Sequence, residues 1–302
     1  SATLQAVLDE YIKTHRDLKE STVKDYRYKM KNGFPDWLEK PIATITKDLV
    51  AERQALLTDN KGTTTANNCM RVLRAVCSYA VANEIIDSSP TDIMKNARLW
   101  HKNTIRTDYI QAKQIPEWYS AVVALPNRKA SVYLLTMLYM GFRTDEARLL
   151  EWSQVDMVSW EITLFDTKNR SDKSFPMPES LILFYKELHK ETGTSQWVFP
   201  NIKSTGPMSR PSKPLLSLDK KLGFHIRPHD VRRTFATIGA ETEMPISTLK
   251  RLMNHVPGND ITQQYVQTEV DTLVKANERI ASIIQSNLGR TADVIPFNSK
   301  YG

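Results

Sequence analysis

A chain of 302 residues that is 41% hydrophobic and 25% charged has ordinary globular composition, and its length points to two domains. The 9% aromatic share and the lack of a low-complexity tract argue against a largely disordered protein. No run reaches the roughly 18 apolar residues that would cross a bilayer, and the first residues lack the basic-then-apolar layout of a secretory signal. A cytoplasmic protein is therefore expected. Cys69 and Cys77 fall eight apart in one helical segment, too far along it to bond to each other, and read as buried thiols. The net charge of +7 is spread along the chain: 16 Lys/Arg face 13 Asp/Glu over residues 1–105, and 25 face 21 over 106–302. Both parts could touch a polyanion, although many basic proteins bind none.

In chain order, the first hundred residues read as helices. Leu4, Val7, Leu8 and Tyr11 recur at helical spacing. A second helix is predicted over 23–31, with Ser21 or Thr22 as its cap. A third follows Thr46, with Leu49, Val50 and Leu56 as its apolar positions. The longest is predicted over 64–86, with Val72, Leu73, Val76 and Ala80 on one face. With no strand candidate, this part is a small all-α domain over 1–98.

Two polar stripes lie on these helices. Lys24, Arg27 and Lys31 are spaced i, i+3, i+7 on the second; Asn67, Arg71, Arg74 and Ser78 are spaced i, i+4, i+7, i+11 on the fourth. Such a stripe either lies along a DNA groove, touching phosphates and base edges, or is a solvated helix face. Over 99–113 the apolar periodicity fails and the segment reads as an extended basic linker.

The second part, 114–285, opens with helices over 114–124 and 129–140, a break at Gly141 and a new helix from Thr144. Trp160, Ile162 and Leu164 alternate with polar residues, residues 169–172 form a turn, and Lys173 begins a partner strand. Helices resume over 179–192, 229–241, 247–254 and 260–285. The expected fold is mainly α with a small antiparallel β-sheet, an all-α domain followed by a mixed α/β one. The tail, 286–302, holds the apolar Val294-Ile-Pro-Phe and is too short to fold alone.

Four blocks in the second part fit one chemical task. Arg143 stands at a turn before a helix cap, with Glu146 one turn on and able to orient it by a charge-assisted hydrogen bond. Lys168 ends the first strand, with Lys173 near enough to compete for its place. His229 and Arg232 share a helix face; the adjacent Arg233 lies about 100° round it. Asn254-His255 is followed ten residues later by Tyr265. Two guanidiniums can grip one phosphodiester and stabilise its pentacoordinate transition state, a tyrosine can attack it covalently, and lysine or histidine can move the protons. This chemistry needs no metal and no nucleotide cofactor. Taken singly, His229 and Tyr265 read as structural residues, as Tyr109, Tyr119, Tyr133, Tyr139, His15, His101, His189 and His225 do.

Together these blocks resemble the tyrosine recombinase (phage integrase) family. Its pattern is an Arg in a Gly-x-Arg-x-x-Glu/Asp box, a hairpin Lys, His-x-x-Arg, a Leu-Gly-His-like block, and a nucleophilic Tyr nine or ten residues on. The run Thr64-Thr-Ala-Asn-Asn-Cys-Met-Arg is similar to the last long helix of that family's core-binding domain. The chain departs from the pattern at Asn254, where the family has glycine, and at the stiff Val256-Pro257-Gly258 link.

The resemblance implies that residues 1–98 are a core-binding (SAM-like) domain and 114–285 the catalytic domain, clamping a duplex. It implies Arg143 and Arg232 as the phosphate clamp, Lys168 as general acid, His229 as proton acceptor, His255 as a phosphate or relay donor, and Tyr265 as the nucleophile. The implied partners are double-stranded DNA attachment sites, three further copies in a homotetramer, and accessory DNA-bending proteins, at the nucleoid. The tail after 285 is expected to dock on a neighbouring copy, and the missing initiator methionine to mark a shortened form lacking an arm-binding domain. Two alternatives stand beside recombination: type IB topoisomerase-like relaxation of supercoils, and an architectural DNA-binding protein that has lost catalysis.

Overall fold

The structure, a computed structural model, describes residues 2–102, 107–165, 172–255 and 270–289. The chain divides into two compact units, residues 1–106 and 107–302. Each unit has its own apolar core.

The first unit is helical throughout its described elements. Helix α1 (Leu4–Thr14) is capped by the Thr3 hydroxyl, which accepts from the Ala6 amide at 3.2 Å. Then come α2 (Glu20–Gly33), α3 (Lys47–Lys61), α4 (Thr63–Ala82) and the short α5 (Ile93–Asn96). Helix α4 lies against α1, α2 and α3, and its buried residues include Val72, Leu73, Val76 and Ala80. Cys69 and Cys77 are free and buried, and burial pushes the Cys77 thiol up to about 12.

Three sequence expectations need correcting here. Helix α2 starts at Glu20, after the extended Lys19, so Ser21 and Thr22 lie inside its first turn and cap nothing. On α3 the inward face is Val50, Gln54 and Leu57, leaving Leu49 and Leu56 outside at 38% and 52% exposure. Helix α4 ends at Ala82, short of the expected Ile86, in a turn where Glu84 takes a positive φ. The segment after α5 docks on this unit: the Leu99 amide donates to the Met94 carbonyl and Trp100 lies beneath Arg74.

The second unit is built round α7 (Arg128–Met140), which is capped by Asn127 and buried from Ala130 to Met140. Apart from the buried Ser131 and Thr136 its inner stretch is apolar all round, so it must be covered on all sides. Its covers are α6 (Ile115–Val123), α8 (Thr144–Arg148), α9 (Glu179–Thr192), α11 (Pro228–Glu241) and α13 (Val270–Asn287). Helix α10 (Ser212–Leu222) packs on α6, and α12 (Ile246–Leu252) on α13. The sheet is antiparallel in the order β1 (Val155–Asp156), β2 (Glu161–Leu164), β3 (Lys173–Pro176), with Ile162 opposite Phe175 and Leu164 opposite Lys173.

The sequence pattern gave no sign of α10 or β1. It also put Trp160 in a strand, whereas that residue takes φ +56 in the turn before β2. Tyr119, Tyr133 and Tyr139 are core residues as expected, but Tyr109 is 40% exposed.

Candidate active site

Three segments remote in sequence meet in the second unit. Helix α7 stops at Gly141, whose left-handed φ of +61 ends the helix and turns the chain toward α8. A β-carbon at Gly141 would lie 2.4 Å from the ring of Phe235 on α11, so glycine serves both the turn and the close approach. Two residues on, Arg143 is the N-cap of α8, and its amide donates to Glu146 Oε2 at 2.7 Å. The Arg143 side chain folds back onto the same carboxylate, Nη1 to Oε1 at 2.6 Å. Glu146 thus caps its helix and orients Arg143 at once.

The second arginine reaches this point from α11. Arg232 is 3% exposed, and its Nη1 donates to the Gly141 carbonyl at 2.6 Å while Nη2 donates to the Met253 carbonyl at 2.7 Å. Glu146 Oε2 lies 3.8 Å from Nη1. Burial, then the like charge of Arg143, pulls the Arg232 guanidinium down to about 10 against the opposing pull of Glu146. It therefore stays charged near neutrality.

The third segment is the end of α12. Its helix stops at Met253, and Asn254 follows with φ +48. The two successive carbonyls point at the two arginines: Met253 accepts from Arg232, and Asn254 accepts from Arg143 Nη1 at 2.8 Å. The negative end of a helix and a carboxylate together hold two positive groups side by side.

His229 and Arg232 lie three residues apart at the N-terminal end of α11, His229 exposed and Arg232 buried. Partial desolvation, followed by Arg233 and Arg232 with Asp230 opposing, lowers the His229 pKa below the usual imidazole value. Arg233 is engaged by Asp230 at 3.2 Å. His255 is also lowered, by partial desolvation, then Arg232, Arg143 and Lys250, with Glu146 opposing. Both imidazoles are thus biased toward the neutral form beside two guanidiniums. Lys168 and Tyr265 lie outside the described residues.

Sequence reasoning missed two features. Asn254 is more than a replacement for glycine: its Nδ2 donates to Glu146 Oε1 at 3.0 Å and its Oδ1 accepts from Lys173 Nζ at 3.3 Å. Second, a groove of about 970 Å³ is lined by Lys129, Arg148, Lys203, Arg210 and Lys213, where α7 and α10 begin. Its cations come from four separate stretches of sequence, so no charge run announced it.

In the first unit the predicted stripes are only partly at the surface. Lys24, Arg27 and Lys31 are exposed, with Lys24 paired to Glu20 at 2.7 Å and Arg27 to Asp9 at 2.9 Å. Arg71 and Arg74 are exposed and flank Trp100. Asn67 must be struck from the stripe: it is 1% exposed, and its amide bonds Gln54 and both backbone groups of His101. A carboxamide bonded through both its oxygen and its nitrogen and 1% exposed does not present itself to a base edge at the surface.

Comparison with known proteins agrees with this architecture. The profile of the Phage integrase family matches residues 108–271, and that of the phage integrase central domain matches 4–97. The chain belongs to the phage integrase family. Prophage integrase IntF of Escherichia coli (strain K12) is 26% identical over 267 residues, covering 84% of this chain and 56% of that protein. Tyrosine recombinase XerA of Pyrococcus furiosus is 24% identical over 175 residues, covering 56% of this chain and 60% of that protein. The chain therefore spans a little over half the length of the curated relatives it matches. Among solved structures, the Tn1549 transposon integrase (residues 82–397) in complex with circular intermediate DNA is similar at a TM-score of 0.68 and 18% identity, covering 90% of this chain and 98% of that one. A lambda integrase tetramer bound to a Holliday junction is similar at a TM-score of 0.68 and 18% identity, covering 89% of this chain and 81% of that one.

Proposed function

We propose that this chain carries the strand-cleaving and strand-joining centre of a site-specific DNA recombinase. The observation that carries this reading is the pairing of Arg143 and Arg232 by one carboxylate and three backbone carbonyls, within a chain of the phage integrase family. Two guanidiniums fixed side by side suit the non-bridging oxygens of a phosphodiester, whose charge grows in the pentacoordinate transition state. Each keeps N–H groups beyond those committed to the carbonyls and Glu146.

In this reading the Tyr265 oxygen attacks phosphorus and forms a 3′-phosphotyrosine while the bond to the 5′ oxygen breaks. The phenol proton passes to His229, which is neutral near pH 7 because its pKa is lowered. Lys168 gives a proton to the departing 5′ oxygen, and His255 donates to the phosphate. Attack by the 5′ hydroxyl of a partner strand reverses the step and restores the tyrosine. The substrate is double-stranded DNA carrying attachment sites, bound by the first unit through Lys24, Arg27, Lys31, Arg71 and Arg74 and by the second through its active-site face. Four copies act together, with accessory DNA-bending proteins where the element uses them.

A supercoiled plasmid carrying two attachment sites of the element tests this reading. Reciprocal exchange between the sites is expected. Relaxation without exchange replaces it with a topoisomerase activity, and binding with neither product replaces it with an architectural role.

A further inference from the structure

Asn254 stands in a backbone conformation that glycine enters freely and asparagine enters more readily than other residues carrying a β-carbon, at φ +48. Glycine there would supply the carbonyl to Arg143 equally well. The side chain is therefore surplus to the turn, yet both of its ends are engaged across the site. Its N–H group faces the Glu146 carboxylate at 3.0 Å and its oxygen faces the Lys173 ammonium at 3.3 Å. The chemistry of the partners fixes this orientation, since a flipped amide would set oxygen against carboxylate and nitrogen against ammonium.

We propose that Asn254 is a positioning residue that ties Lys173, at the start of β3, to the Arg143–Glu146 pair, placing a further cation against the phosphodiester. The link is short: Lys173 Nζ, the Asn254 amide, Glu146 Oε1 and Arg143 Nη1 follow one another at 3.3, 3.0 and 2.6 Å. Without it, the β2–β3 hairpin and the α12 terminus would present their charges independently. An Asn254→Asp change would set a carboxylate against Glu146 and attract Lys173 away from the substrate. This inference rests on the recombinase reading.

The test is single-turnover formation of the covalent adduct on a nicked attachment-site duplex, measured beside duplex affinity and melting temperature. Asn254→Gly keeps the turn and deletes the link; Lys173→Ala deletes the cation. Each is expected to slow adduct formation about tenfold or more, as misplaced reacting groups do, with melting temperature unchanged; Asn254→Gly also leaves duplex affinity unchanged, because it removes no charge. The double variant is expected to be no slower than Lys173→Ala alone, because both changes remove one coupling. Multiplying defects in the double variant, or an Asn254→Gly variant that melts lower but cleaves at the parental rate, overturns the proposal. Failure of the parent protein itself to form an adduct counts against the recombinase reading instead, so the two failures are distinguishable.

Discussion

Gly141 joins the fold to the chemistry, and Gly141→Ala is the perturbation whose size can be worked out in advance. At φ +61 a β-carbon costs about 1–2 kcal/mol in backbone strain. The same β-carbon would lie 2.4 Å from Phe235 Cδ1 and 2.7 Å from its Cε1, and that ring is fully buried. Moving a packed ring adds about 1–3 kcal/mol, for a total loss of about 2–5 kcal/mol. Gly223, in the same unit, separates the two contributions: its φ is +71 but nothing lies within 4 Å of its would-be β-carbon. Gly223→Ala should therefore lose only the backbone contribution, about 1–2 kcal/mol. Urea unfolding of both variants measures the difference directly. Moving the 140–141 turn also shifts the carbonyl that holds Arg232, so Gly141→Ala should lose adduct formation even at temperatures where it is folded. Equal destabilisation by the two substitutions would refute the close-approach argument.

Three further outcomes are expected. Asn67→Ala should cost about 1–3 kcal/mol of stability, by stranding its buried hydrogen-bond partners, while leaving the duplex affinity of the folded protein unchanged; weaker or less sequence-selective binding by the folded variant would return Asn67 to the DNA surface. Because His229 and His255 are lowered in the folded state, the unfolded chain binds more protons as pH falls below about 6.5. Stability should then drop with acid across that window, and His229→Gln with His255→Gln should flatten the drop in a pH series of melting curves. Replacing Lys129, Lys203 and Lys213 in the basic groove by alanine should reduce the log–log salt slope of duplex binding by about 0.9 for each phosphate no longer neutralised; an unchanged slope would leave the groove without a role in DNA binding.

How much of this was legible depended on whether a feature is local. Helices α7, α9 and α11 could be placed because each is a long uninterrupted run with apolar residues recurring at helical spacing. Helix α10 escaped because Pro211 and Pro214 read as loop punctuation, although Leu215, Leu218 and Leu222 stand at helical spacing. A two-residue strand such as β1 is too short to show a period. The inward face of α3 could not be read from apolar positions alone, since its partners bury Gln54 and leave Leu56 outside. In the site, Arg143 and Glu146 were readable together because three residues of helix separate them. The roles of Asn254 and Gly141 were not, because each acts on groups 81 to 111 residues away.

In the proposed mechanism Tyr265 becomes covalently joined to DNA under the grip of Arg143 and Arg232. A nicked duplex carrying the attachment site traps that state, because the freed 5′ fragment diffuses away and the reversal is lost. Incubation with the parent protein and with Tyr265→Phe, followed by denaturing gel and mass mapping of the adducted peptide, reads it directly. The proposed mechanism predicts an adduct that survives denaturant, maps to Tyr265, disappears in the phenylalanine variant and is strongly reduced by Arg232→Lys. An adduct on another residue, or tight binding to the same duplex with no adduct from the parent protein, would contradict it.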